Sequence, residues 1–300
     1  MKSAILSTAA GDIELQELCF SAKIDFLSFS STAEVSLPAI VGRVHRPSSP
    51  PGAFTIHDAQ PQDVLALASI AEIDRITTLE VAVDIRPCPY GKSAKSWMPV
   101  LRALAHDYVP RHLEPSYAPY INTQYRAYDL GEKRGPFNRK SVPPGATLCY
   151  GHKSHPVRVK SYLKLEDNKQ PLPSHQYSVR VEVTLEQPVL DKVALVKPID
   201  LLTFPLRRSL SPYFTFMSGV RRKAAGPKDI SAIVNPKVLA ARDQEVWDGH
   251  GVGGFLPGGM GDVGKVRFIR HQDLNNRVGQ ALGRLEQQLT KQIRVSGQAP

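Results

Sequence analysis

Apolar and polar residues alternate along several short runs of this chain, and the alternation predicts strands. Residues 22–30, AKIDFLSFS, form one such run. Residues 77–85, TTLEVAVDI, are rich in β-branched side chains and are closed by Pro87 and Pro89. Residues 146–151 and 157–163 read as a hairpin pair joined by a turn over 152–156, and residues 177–185, YSVRVEVTL, as a third strand after a loop at 167–174. Two other stretches repeat at helical spacing. Trp97, Val100, Leu101, Leu104, Ala105 and Tyr108 make one apolar stripe over residues 94–109, with Pro99 in the first turn, where proline is tolerated. Leu274, Val278, Ala281, Leu282, Leu285, Leu289 and Ile293 make another over residues 273–293, suited to core packing or a dimer seam. Residues 1–18 carry little pattern, and the prolines at 47–52 and 110–145 mark loops.

Strands of this kind, interrupted by helices, predict an α+β fold: a largely antiparallel sheet backed by helices. Two βαβ-like halves, beginning near Ile24 and Thr147, suggest pseudo-repeated halves. From Asp191 onward helical segments and basic clusters take over, so the expected division is residues 1–190 and a mainly helical region 191–300.

Alternation also assigns faces. Glu80, Ala82 and Asp84 share a side opposite Leu79, Val81 and Val83; Arg180, Glu182 and Thr184 lie opposite Val179, Val181 and Val183; Arg158, Lys160, Tyr162 and Lys164 share a face. If these strands are neighbours, the sheet has one apolar wall and one wall of acids, cations and a tyrosine. Such a face is either the sheet's solvated side or a site.

Composition narrows the choice. The chain has 300 residues and a net charge of +10, which favours a polyanionic partner. The excess is clustered: Arg207, Arg208, Arg221, Arg222 and Lys223 bracket Tyr213, Phe214 and Phe216, while Lys133, Arg134, Arg139 and Lys140 surround Phe137. Cations interleaved with rings fit single-strand contact, and Arg158 adds to the set of candidate DNA-binding residues. No apolar run approaches the ~20 residues that span a bilayer. Early acids at Asp12, Glu14 and Glu17 argue against a secretory signal, so a cytoplasmic protein is expected. Cys19, Cys88 and Cys149 are odd in number and lack a CxxC pair, which argues against a disulfide framework and a zinc ribbon.

The candidate chemistry centres on Lys160-Ser-Tyr162-Leu-Lys164. A phenol is a poor nucleophile at neutral pH and needs a cation or metal to favour its phenolate. Lys160 or Lys164 would lower the Tyr162 pKa; Glu80, Asp84 and Glu182 offer hard oxygen ligands for Mg²⁺ or Mn²⁺; Arg180 would grip phosphate oxygens. Other signals are weaker. His152 and His155 lie in a turn, the glycines of 249–264 lack the phosphate-loop spacing, and Tyr150, a rival nucleophile, lacks paired lysines.

In order along the chain, IDFLSFS at Asp25, TLEVAVD at Asp84, TLCYG followed by KSYLK at Tyr162, and RVEVTL at Glu182 resemble the motifs of the trans-acting Rep (replication initiation factor) family of rolling-circle initiators, found on plasmids, integrative elements and filamentous phages. Thr78, Glu80, Lys160 and Leu163 stand where that pattern usually has arginine, aspartate, arginine and aspartate. The resemblance covers roughly residues 20–190. It implies a DNA-nicking enzyme that cleaves one strand at an origin through Tyr162, leaving a 5′-phosphotyrosine and a free 3′-hydroxyl. It also implies origin DNA, single-stranded or hairpin, as partner, with a host helicase and a homodimer as further expectations and no membrane. Two other classes stay open: a non-catalytic DNA-binding protein on the same scaffold, and a metal-dependent nuclease that forms no covalent intermediate.

Overall fold

The computed structural model describes residues 5–8, 11–32, 35–46, 52–88, 97–107, 120–122, 147–150, 155–167, 169–221 and 266–296. A small hairpin of β1 (Ile5–Thr8) and β2 (Gly11–Glu14) precedes β3 (Leu18–Ser31), β4 (Arg43–His45) and β5 (Ala53–His57). Next come α1 (Pro61–Ala68), β6 (Ile73–Pro87), α2 (Trp97–Asp107), β7 (Tyr120–Asn122), β8 (Thr147–Tyr150) and β9 (Val157–Lys164). After a two-residue ribbon of β10 (Glu166–Asp167) and β11 (Gln170–Pro171), β12 (Ser178–Glu186) leads into α3 (Gln187–Lys192), α4 (Pro198–Thr203) and α5 (Leu206–Leu210). The ribbon of β13 (Met217–Arg221) and β14 (Val266–Arg270) and the long helix α6 (Gln272–Ser296) complete the described chain.

Eight strands form the main sheet in the order β4-β5-β3-β6-β12-β9-β8-β7, and every pairing is antiparallel. The fold is α+β, as the patterning predicts. Neighbouring strands run antiparallel, and the first four strands of this sheet, β3–β6, fill one half while β7–β9 and β12 fill the other; that order by itself does not establish repeated halves. Strand ends outrun the alternation: the run expected at 77–85 belongs to a strand of fifteen residues, and that at 22–30 to one of fourteen. Residues 1–18, expected to lack pattern, contribute the first hairpin.

Leu79, Val81, Val83 and Ile85 of β6 and Val179, Val181, Val183 and Leu185 of β12 are all buried, and they face the helices. Against them pack Leu101, Leu104 and Ala105 of α2, Leu201 and Leu202 of α4, Leu206 and Leu210 of α5, and Leu274, Val278, Leu282 and Leu289 of α6. This hydrophobic cluster continues past position 190, so the helices that follow β12 finish the core that the sheet begins. Arg284 of α6 also donates to the Phe20 carbonyl of β3 at 2.7 Å. The stripe of α6 thus serves the core of its own chain. α1 is anchored by buried Asp63, whose carboxylate accepts from the N–H groups of Gln60, Val41 and Gly42. Gly42 must be glycine there, since a Cβ would lie 2.6 Å from Ile56 Cγ2 and 2.7 Å from the His57 carbonyl.

Two expectations change. Cys19 and Cys88 form a disulfide, with Cα atoms 5.1 Å apart, while Cys149 is buried and takes no part in it. The 69-residue separation hid the pair, but antiparallel register sets Cys19 beside Arg86, two residues from Cys88. Phe214 and Phe216, read as rings for stacking on bases, are core residues. No helix among the described residues is long and apolar enough to cross a membrane. The clusters at 133–140 and 222–223, His152 and the glycines at 249–264 lie outside the described residues.

Candidate active site

The second face of the sheet is charged, and strand register sets its geometry. On β12, Arg180 lies opposite Asp84 of β6 and Tyr162 of β9; Glu182 lies opposite Ala82 and Lys160; Thr184 lies opposite Glu80 and Arg158. Direct cross-strand neighbours are close enough to bond. Arg180 grips Asp84 with Nε and Nη2, both at 2.7 Å, and reaches Asp25 with Nη1 at 2.9 Å. The Lys160 ammonium stands 3.2 Å from Glu80 Oε2 and 3.1 Å from Glu182 Oε2. The Tyr162 hydroxyl donates to Glu182 Oε1, and the Thr184 hydroxyl donates to Glu80. Ala82 faces Glu182 with a single methyl, which leaves room for these longer side chains to meet.

Asp25 arrives by a different route. Register between β3 and β6 shifts between Ile24 and Phe26, so Asp25 is the extra residue of a β-bulge. The bulge brings its carboxylate to Arg180 and to Lys23, 3.0 Å away, and its carbonyl accepts from the Asp58 N–H at 2.7 Å. Asp58, at a positive φ of 55°, pairs in turn with Lys23 and Arg43. Asp25, Glu80 and Glu182 therefore each present a carboxylate oxygen within 4.8 Å of the others.

Of the acids expected to bind metal, Glu80 and Glu182 belong to this triad, whereas both oxygens of Asp84 are held by Arg180. Arg180 itself is 6% exposed and spends its fork on the two aspartates. Lys164 pairs with Asp167 at 2.9 Å, and Lys160 touches the carboxylates. Arg158 pairs with Glu186, and its buried Nε has no partner. Arg207 and Arg208 are exposed on α5, behind the sheet; Arg221 ends β13. His155 hydrogen-bonds the Val157 carbonyl through Nδ1 at 2.9 Å, a turn contact. Sequence reading missed Asp25 as a site residue. It sits in the strand run IDFLSFS, but only the bulge reveals where its carboxylate goes.

Burial and then the neighbouring Glu182 push the Glu80 carboxyl up to about 7, with Lys160 and Thr184 pulling the other way. Burial, and then the Glu182 carboxylate, push the Tyr162 phenol well above its usual range. Burial disfavours the Lys160 ammonium, but Glu182 and Glu80 outweigh it and hold the charge. In this arrangement the phenol is protonated and donates.

The chain matches no protein-family model and no curated protein. Among solved structures it is similar to a rolling-circle replication initiator protein from Geobacillus stearothermophilus, at 15% identity and a TM-score of 0.33, over 71% of this chain and 91% of that one.

Proposed function

We propose that this protein is a DNA-nicking replication initiator that cleaves one strand through Tyr162. The observation that carries the reading is the hydrogen bond from the Tyr162 hydroxyl to Glu182, a carboxylate that also belongs to the Asp25–Glu80–Glu182 triad. In this reading Glu182 takes the phenolic proton as the Tyr162 oxygen attacks phosphorus. The P–O3′ bond breaks, a 5′-phosphotyrosine forms and the 3′-oxygen leaves as a hydroxyl once protonated. Arg180, pinned by Asp84, holds Asp25 in place rather than gripping the phosphate.

The triad suits a divalent ion. Its donors are the hard oxygens that Mg²⁺ and Mn²⁺ favour. Burial and then the Glu182 carboxylate raise the Glu80 carboxyl, and a cation set among the three acids would favour its ionised form. Asp25, Glu80 and Glu182 would hold the ion, which when bound polarises the scissile phosphate and favours the phenolate. Lys160 must then give up at least one of its two carboxylate contacts.

One observation favours a second reading. The Lys160 ammonium already bridges Glu80 and Glu182, as expected of a scaffold that binds DNA without cutting it. Incubating the protein with an origin oligonucleotide and Mn²⁺, then resolving the products on a denaturing gel, separates the two. Wild type should give a covalent adduct and Tyr162→Phe should bind without one; nicking with no adduct would mean water is the nucleophile, and no nicking at all would leave the binding scaffold.

A further inference from the structure

Behind the sheet, on the side covered by helices, lies a second charged surface. Arg207 opens the first turn of α5, and its backbone N–H donates to Glu286 Oε2 of α6 at 2.9 Å. Its side chain runs along a shallow track in α6 left by Gly279 and Gly283. A Cβ at 279 would stand 3.5 Å from Arg207 Nε, and one at 283 would stand 3.5 Å from Arg207 Cδ. Arg208 beside it and Arg270 at the end of β14 are exposed. With Ser211 and Glu286, the three arginines line a cavity of about 420 Å³. A smaller cavity of about 180 Å³ continues past Arg207 and Arg270 to Gln272 and Asn276, at the start of α6.

Among the described residues none of these three guanidiniums has an ion-pair partner, whereas Arg43, Arg75, Arg158 and Arg180 all have one. Glu286 faces them with a carboxylate that already accepts from a backbone N–H. Among the described residues the cleft is therefore a cationic surface whose guanidinium N–H groups have no partner, and the positive end of the α6 dipole adds to it. Guanidinium forks match phosphate oxygens. Phe214 and Phe216, the adjacent rings, are buried in the core and offer no platform for bases.

We propose that this cleft is a binding site for the phosphodiester backbone of nucleic acid, with Arg207, Arg208 and Arg270 as the phosphate contacts. It reads charge and spacing, so it discriminates neither sequence nor strandedness. It lies across the sheet from Tyr162, and so holds a segment of nucleic acid other than one placed at the phenol. The inference stands whether or not Tyr162 cuts.

Fluorescence anisotropy on the full chain, in EDTA, with a duplex and a single strand of unrelated sequence at several salt concentrations tests it. Arg207→Ala/Arg208→Ala/Arg270→Ala should weaken duplex and single-strand binding at least tenfold. The slope of log affinity against log salt for the duplex should shrink by about 3. A control that removes the same charge elsewhere, Lys192→Ala/Lys291→Ala/Arg294→Ala, should leave that slope near wild type. Circular dichroism reports that the exposed substitutions leave the fold intact. The proposal is overturned if the arginine variant keeps the wild-type slope, or if the control loses as much. It is also overturned if inorganic phosphate or polyglutamate displaces the DNA at equal phosphate or carboxylate concentration, which would make the cleft a site for a small anion or an acidic peptide.

Discussion

On β12, Val179, Val181, Val183 and Leu185 point to the helices, while Arg180, Glu182 and Thr184, one residue out of step, point away. Both sets are buried, but for different reasons. The first set excludes water by packing against α2 and α3. The second is covered by its own partners, each charge lying against an opposite charge from the next strand. Apolar packing tolerates conservative exchange, whereas a buried ionic face fails as soon as one partner is lost. The comparison explains why a sheet would keep a costly face: it holds acids, cations and a phenol at fixed spacing.

The contrast can be broken most severely on the apolar side. Val181→Asp would bury an unpaired charge against α2, and we expect a loss of at least about 4 kcal/mol, visible as failure to yield folded protein in circular dichroism. On the ionic side, Arg180→Leu leaves Asp84 and Asp25 without their shared cation. Chemical denaturation should show a loss of about 3–5 kcal/mol, and Asp84→Leu added to Arg180→Leu should recover part of it. If the single substitution is neutral, the ionic face is ordinary solvated surface.

A third effect is set by pH. Glu80 titrates at about 7 in the fold against an ordinary 4.5, so between those values the folded chain keeps a proton that the unfolded chain has released. The stability this gives is complete below pH 4.5 and is lost as pH rises to 7, an amount of about 3 kcal/mol. Glu80→Gln should flatten that part of the stability curve; an unchanged slope would assign it to another group. The smallest effect sharpens the ligand set. Mn²⁺ binding followed by electron paramagnetic resonance should weaken about tenfold or more in Asp25→Asn and Glu182→Gln, and clearly less in Asp84→Asn, whose carboxylate belongs to Arg180.

Much of this was legible in the residues. Strict alternation in TTLEVAVDI and YSVRVEVTL assigns every side chain of β6 and β12 to its face, because a period of two leaves no other choice when one face is buried. The helical stripe of Leu274, Val278, Leu282 and Leu289 likewise fixes the buried side of α6. Three things were not legible. The bulge at Asp25 breaks the period and gives no local signal. Which cation meets which acid depends on register between strands up to 155 residues apart, as in Arg180 with Asp25. The Cys19–Cys88 pair likewise exists only once β3 and β6 are aligned. Aromatic residues near arginines misled, since Phe214 and Phe216 serve the core.

Mass spectrometry of the protein–DNA adduct, digested with protease and nuclease, tests the central claim most directly. A nucleotide attached to the peptide that carries Tyr162 is the expected result, with none on Tyr150. An adduct on another residue, or strand cleavage that leaves every peptide unmodified, would contradict the assignment of Tyr162 as the nucleophile.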